Sequence, residues 1–152
     1  MKQHCLRLLL ILLVSVSVNN ISFSQTRQYV NAISVANLLV DDVSIDRMVQ
    51  NCRFHNLTEI ASEEGYTVFE DNVGNTVRFK KTDNPEEGVN GKLIEVRTKD
   101  TLRTIDKILK ENGFEKHGTT YDRGSRLSNT LTRCTISTQG KTRILHYQKA
   151  NM

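Results

Sequence analysis

The chain has 152 residues, 38% apolar and 25% charged, with a formal net charge of +4. That length supports one domain with a real core, and the balance excludes a disordered, collagen-like or polytopic membrane chain. Aromatic residues make up 6% and tryptophan is absent, so a base-stacking platform for nucleic acid has little to be built from.

Lys2 and Arg7 form a short basic segment around the start of an apolar run, Leu6 to Val18. Ser22-Phe23-Ser24 then places small residues at the two positions a signal peptidase reads. Residues 1–24 are therefore expected to be a cleaved secretory signal, cut between Ser24 and Gln25. The run is shorter than the ~18 residues of a spanning helix, so no transmembrane anchor is expected after processing. Cys5 precedes the run, the wrong side for a lipid-modified cysteine. The expected destination is periplasmic or secreted.

Processing changes the charge: 21 − 2 leaves 19 basic residues against 17 acidic, a net of +2, which removes most of the basic character that would suggest nucleic acid. The remainder is uneven. Residues 25–100 hold 9 basic and 13 acidic side chains (9 − 13 = −4), and residues 101–152 hold 10 and 4 (10 − 4 = +6). Such asymmetry marks either a basic surface for an acidic partner or two halves that complement each other.

Residues 25–43 read as a lead-in segment, with Ala32 to Val40 either a short helix or a strand. An amphipathic helix follows: Ile45, Met48, Val49 and Cys52 fall on one face, with Ser44 or Asp42 as the cap. The periodicity then shortens. "NLTEIA", "YTVFED", "TVRFKK" and "KLIEVRT" read as consecutive antiparallel strands, broken by Glu64-Gly65, Gly74-Asn75 and the polar stretch 82–91. A second amphipathic helix carries Leu102, Ile105, Ile108 and Leu109, with Asp100 as cap and Gly113 as stop. Phe114 to Tyr121 reads as one strand. "NTLTRCTIST" and "KTRILHYQK" read as a hairpin across Gln139-Gly140.

The phrase "SIDRMVQNCRF" (44–54) is echoed by "TIDKILKENGF" (104–114), and "GKLIEVRTK" (91–99) by "GKTRILHYQK" (140–149). The expectation is a single α+β domain over 44–152, built as tandem repeats 44–99 and 100–150. Two amphipathic helices would pack on one face of an antiparallel sheet of six or seven strands.

Catalytic motifs are missing: there is no GxSxG, HExxH, P-loop or GxGxxG, and His55, His117 and His146 lack metal-ligand spacing. No cofactor or metal is expected. Cys52 and His55 could form a nucleophile pair, but Cys52 lies on the apolar stripe and reads as structural. A pocket converging His117, Tyr121 and Asp122 would be the mark of a small exported enzyme. Cys52 and Cys134 are the two cysteines left after processing, and in an exported chain they are expected to pair, closing a loop worth up to ~4.5 kcal/mol. The sequon Asn56-Leu57-Thr58 would be a glycosylation acceptor only in a eukaryote.

The compact signal ending in Ser24-Gln25 resembles those of bacterial exported proteins. A helix-plus-antiparallel-sheet unit repeated in tandem over 44–149 resembles the plan of the β-lactamase inhibitory protein family and of small outer-membrane assembly lipoproteins. That resemblance implies a binding role and assigns no residue. The expected function is thus a non-catalytic binding module for a protein or cell-envelope component with an acidic surface. An exported enzyme or a structural envelope component is the alternative. Strand alternation places Leu131, Arg133, Ile144 and His146 on the outward face, with Arg123 and Arg126 near its edge, as the candidate binding residues.

Overall fold

The computed structural model describes residues 31–41, 44–84, 87–124 and 131–150. The signal segment with Ser24 and Gln25, and Arg126, lie outside those residues. Helices α1 (Ala32–Leu39) and α2 (Ile45–Phe54) precede strands β1 (Thr58–Glu63), β2 (Tyr66–Glu70), β3 (Thr76–Lys81) and β4 (Lys92–Thr98). Helix α3 (Leu102–Glu111) precedes β5 (Glu115–His117), β6 (Thr120–Gly124), β7 (Leu131–Gln139) and β8 (Thr142–Ala150). The fold is α+β, with one eight-stranded antiparallel sheet in the order β1-β2-β3-β4-β8-β7-β6-β5. Each four-stranded run is a meander, and the two meet along their last strands.

Three helices are therefore described instead of two, and eight strands instead of six or seven. The lead-in is helical because Asn31 caps it, its Oδ1 accepting from Ile33 N at 2.7 Å, and because Ala32, Ile33, Val35, Ala36 and Leu39 are all fully buried. Eight residues are too few for an isolated helix, so packing holds it in shape. The extra strand arises because Phe114 to Tyr121 is not one strand. The chain reverses at Gly118-Thr119, pairing His117 with Thr120. At α3 the cap is Thr101 and not Asp100: its Oγ1 accepts from Thr104 N at 3.2 Å, while Asp100 serves the network described below. Ser44 caps α2 as expected.

Alternating strand residues Phe69, Val77, Phe79, Ile94, Val96, Leu145 and Tyr147 join Ile33, Leu39, Met48, Ile105 and Leu109 of the helices in one core cluster. Burial of each large apolar side chain contributes roughly 1.5–3 kcal/mol. The opposite strand residues face away from that cluster.

The expected Cys52–Cys134 disulfide is not formed; both residues are buried thiols. Cys52 belongs to α2, which packs on β1 and β3, whereas Cys134 lies on β7. From β3 to β7 is three strand spacings, ~14 Å at ~4.8 Å each, well beyond the ~7 Å Cα limit for a disulfide. Each cysteine belongs to its own half of the core.

The β7–β8 turn is also displaced from its expected place. Gln139 pairs with Thr142, so the two turn residues are Gly140 and Lys141, and Gly140 has φ of +61°. A left-handed first turn residue is what a type II′ hairpin requires, and glycine adopts it without steric cost. Cys134 consequently faces Tyr147 instead of Leu145, and Arg133 faces Gln148 instead of His146.

Gly88 shows a second backbone constraint. Its φ is +77°, a Cβ there would meet the Lys92 carbonyl oxygen at 2.0 Å, and its own carbonyl accepts from Lys149 N at 2.7 Å. The loop after β3 is thereby clamped between β4 and β8. Gly88→Ala should cost about 2–3 kcal/mol through strain and the lost clamp. Urea unfolding checks this, and wild-type stability in the variant would contradict it.

Candidate functional site

The strand residues facing away from the core form cross-strand rows. One row crosses the whole sheet: Ile60, Val68, Arg78, Glu95, His146, Thr135, Thr120 and His117 are successive partners from β1 to β5. A flanking row runs Glu70, Thr76, Arg97, Ile144 and Ser137. Sheet alternation alone produces this surface, because residues of one parity on each strand share a face.

Glu95 is the electrostatic centre of the face and is only 7% exposed. Its Oε1 lies 2.7 Å from Arg78 Nε and 2.9 Å from Arg97 Nε, and its Oε2 lies 3.4 Å from His146 Nδ1. Burial by itself would raise the carboxyl's pKa. The close Arg78 guanidinium, the hydrogen bond from Arg97 and the charge of His146 more than offset this and hold it below the usual range. The Arg78 guanidinium also sits 4.5 Å from the Tyr66 ring centroid, and Lys80 Nζ lies 4.2 Å from the same ring. Each such cation–π contact contributes about 0.5–1 kcal/mol. The charged side chains are thus held in place by contacts within the sheet. A depression of about 300 Å³ lies beside them, bordered by Tyr66, Leu93, His146 and Gln148.

Four expected binding residues, Leu131, Arg133, Ile144 and His146, share this face. Arg133 forms a two-bond pair with Asp122, Nε to Oδ1 and Nη2 to Oδ2 both at 2.8 Å, so its charge is already matched. Arg123 is not part of the face. It points to the core side, donating to Asp41 Oδ2 at 3.0 Å and lying 4.9 Å over the Phe114 ring. The reason is that β6 runs through Gly124, so Asp122 and Arg123 must point to opposite sides. Arg123–Asp41 and His146–Glu95 both join the basic half of the chain to the acidic half.

Tyr66, Arg78, Lys80, Glu95 and Arg97 were not singled out from the sequence. The signal was present: charged residues alternate with Val77, Phe79, Ile94 and Val96 in "TVRFKK" and "KLIEVRT".

The features that would mark an enzyme are separated by the same alternation. Tyr121 points to the core side and donates to Asp106 Oδ1 at 3.0 Å, while His117 and Asp122 lie on the opposite face. Burial, then the Asp106 hydrogen bond, pushes the Tyr121 hydroxyl up to about 12, far from the range of a general base at neutral pH. Burial likewise pushes the Cys134 thiol up to about 12. Cys52 is fully buried, and the His55 ring packs edge-on against Phe54 at 5.1 Å.

No protein-family model matches the chain, and comparison with curated proteins and with solved structures gave no match either. Among the described residues no helix is long and apolar enough to cross a membrane, and no cluster of His, Cys, Asp or Glu could hold a metal ion.

Proposed function

We propose that this chain is an exported, non-catalytic binding module whose partner, a protein or cell-envelope component, docks on the strand face opposite the core. In this reading all three helices lie on the other face, and the two meanders are copies of one unit joined along β4 and β8. The carrying observation is the Glu95 centre. A carboxylate held nearly out of solvent among Arg78, Arg97 and His146 is more than solubility needs on a surface strand. Preorganised, desolvated charge favours specificity and orientation in binding over bulk affinity. The acidic partner expected from the sequence is retained in narrower form, since Asp122 matches Arg133 and the remaining excess of positive charge centres on β3 and β4.

Ser137→Arg combined with Gln148→Arg tests the face, because both residues are exposed and point away from the core. Capture of the partner from an envelope fraction is expected to fail in this variant. It should persist when Lys107 and Glu111, an exposed ion pair on α3, are exchanged for each other. Equal capture by both variants would overturn the reading. Export is tested separately by intact mass: a mature form beginning at Gln25 is expected, and one that retains Leu6 to Val18 would remove the secretory part.

A further inference from the structure

The outward face ends in a depression of about 350 Å³ where β3, β4 and the β7–β8 hairpin meet, lined by Gly74, Thr76, Arg97, Lys99, Gln139 and Thr142. The lining side chains of Thr76, Arg97, Lys99, Gln139 and Thr142 can all donate a hydrogen bond, and the Glu70 carboxylate reaches the rim, its Oε1 3.7 Å from where a Cβ on Gly74 would lie. Arg97 gives its Nε to Glu95 and is 41% exposed, which leaves the two terminal nitrogens of its guanidinium available. Lys99 is exposed, and no described carboxylate pairs with it. Among the surrounding acids, Glu95 is shared with Arg78, Arg97 and His146, Asp71 and Asp100 are held by Asn31 and Asn75, and Glu70 stands opposite Thr76.

We infer that this corner is a carboxylate-binding subsite, taking an aspartate, glutamate or C-terminal carboxylate of the partner. The inference rests on the proposed binding face and specifies one contact within it. A planar guanidinium held at Nε presents a fork that matches a carboxylate's two oxygens. The hydroxyls of Thr76 and Thr142 can satisfy the remaining lone pairs. Glu70 at the rim repels a doubly charged phosphate more than a singly charged carboxylate.

Titrating the purified protein with sodium acetate, followed by amide and Arg Nε–H resonances, tests this. Saturable shifts at Arg97, Lys99, Gln139 and Thr142 are expected with a Kd on the order of millimolar, as suits one exposed contact. Lys99→Gln, which touches none of the ion pairs, should weaken acetate several-fold, and Arg97→Gln with Lys99→Gln should abolish the shifts. The same shifts from sodium chloride at matched ionic strength would overturn the inference, as would wild-type affinity in Lys99→Gln or no saturation at all. Inorganic phosphate saturating the corner at one-tenth the acetate concentration would overturn the carboxylate assignment and make the site a phosphoryl one. Silence toward acetate, with capture still lost in the Ser137 and Gln148 variant, would remove this subsite and leave the binding face standing.

Discussion

Asp71→Ala is expected to lower the unfolding free energy by about 4 kcal/mol. The Asp71 carboxylate is 5% exposed and organises the junction between α1 and the sheet. Its Oδ2 accepts from Ala32 N at 3.0 Å and from Asn75 Nδ2 at 3.1 Å, and its Oδ1 accepts from Val73 N at 3.0 Å and Asn75 N at 2.9 Å. Asn75 in turn accepts from Thr98 Oγ1 at 2.8 Å, while Asp100 Oδ2 accepts from Asn31 Nδ2 at 3.1 Å. Removing the carboxylate strands the Ala32 and Asn75 donors in the interior, where each unsatisfied group costs roughly 1–3 kcal/mol. It also removes a negative charge from the N-terminus of α1, where the helix dipole favours one. Asp71→Asn keeps one accepting oxygen and should lose about half as much. Against a typical total of about 5–15 kcal/mol, the alanine variant approaches the limit of folding. Urea unfolding of both variants measures this; a loss below ~1 kcal/mol for alanine would mean that water reaches the junction.

Glu95→Gln should cost about 2–3 kcal/mol at neutral pH, because Arg78, with a side chain 12% exposed, would keep its charge without its nearest counter-ion. The figure is below that of a fully buried pair because Arg97 is partly solvated. The pH dependence has a definite sign. The folded carboxyl titrates below its ordinary value of 4.5, so its stabilisation is complete above that value and is lost as pH falls through the lower folded one. Wild type and variant should therefore differ most at pH 7 and converge toward pH 3. Some acid sensitivity persists in the variant. The hydrogen bond from Arg133 holds Asp122 below the usual carboxylate range, and that from Lys110 does the same for Asp106. A gap between the two proteins that stays constant from pH 7 to pH 3 would show that the loss comes from packing and not from charge.

Much of the outward strand face was legible in the sequence because strand alternation is local. Leu131, Arg133, Ile144 and His146 remain on one face although the hairpin turn lies one residue further along than expected. That displacement shifts the register by two, and a side-chain period of two preserves the face. The stripes of α2 and α3 were legible for the same reason, since Met48, Cys52, Ile105 and Leu109 repeat at helical spacing within ten residues. What the tertiary structure decided is everything that depends on which segments become neighbours. Antiparallel joining of β4 to β8 brings Glu95 beside His146, 51 residues later (146 − 95 = 51), and so creates the charged centre from the two oppositely charged halves. The same order puts Cys134 on β7, three strand spacings from β3, one of the strands under the helix that carries Cys52. The extension of β6 to Gly124 turns Arg123 into a core-side strut. Helix α1 forms only because β3, β4, α2 and α3 close around it and Tyr147 of β8 donates to Asn37 at 2.8 Å. Spacing along a chain fixes which way each side chain points, whereas pairing between distant strands is a long-range choice that local periodicity leaves undetermined.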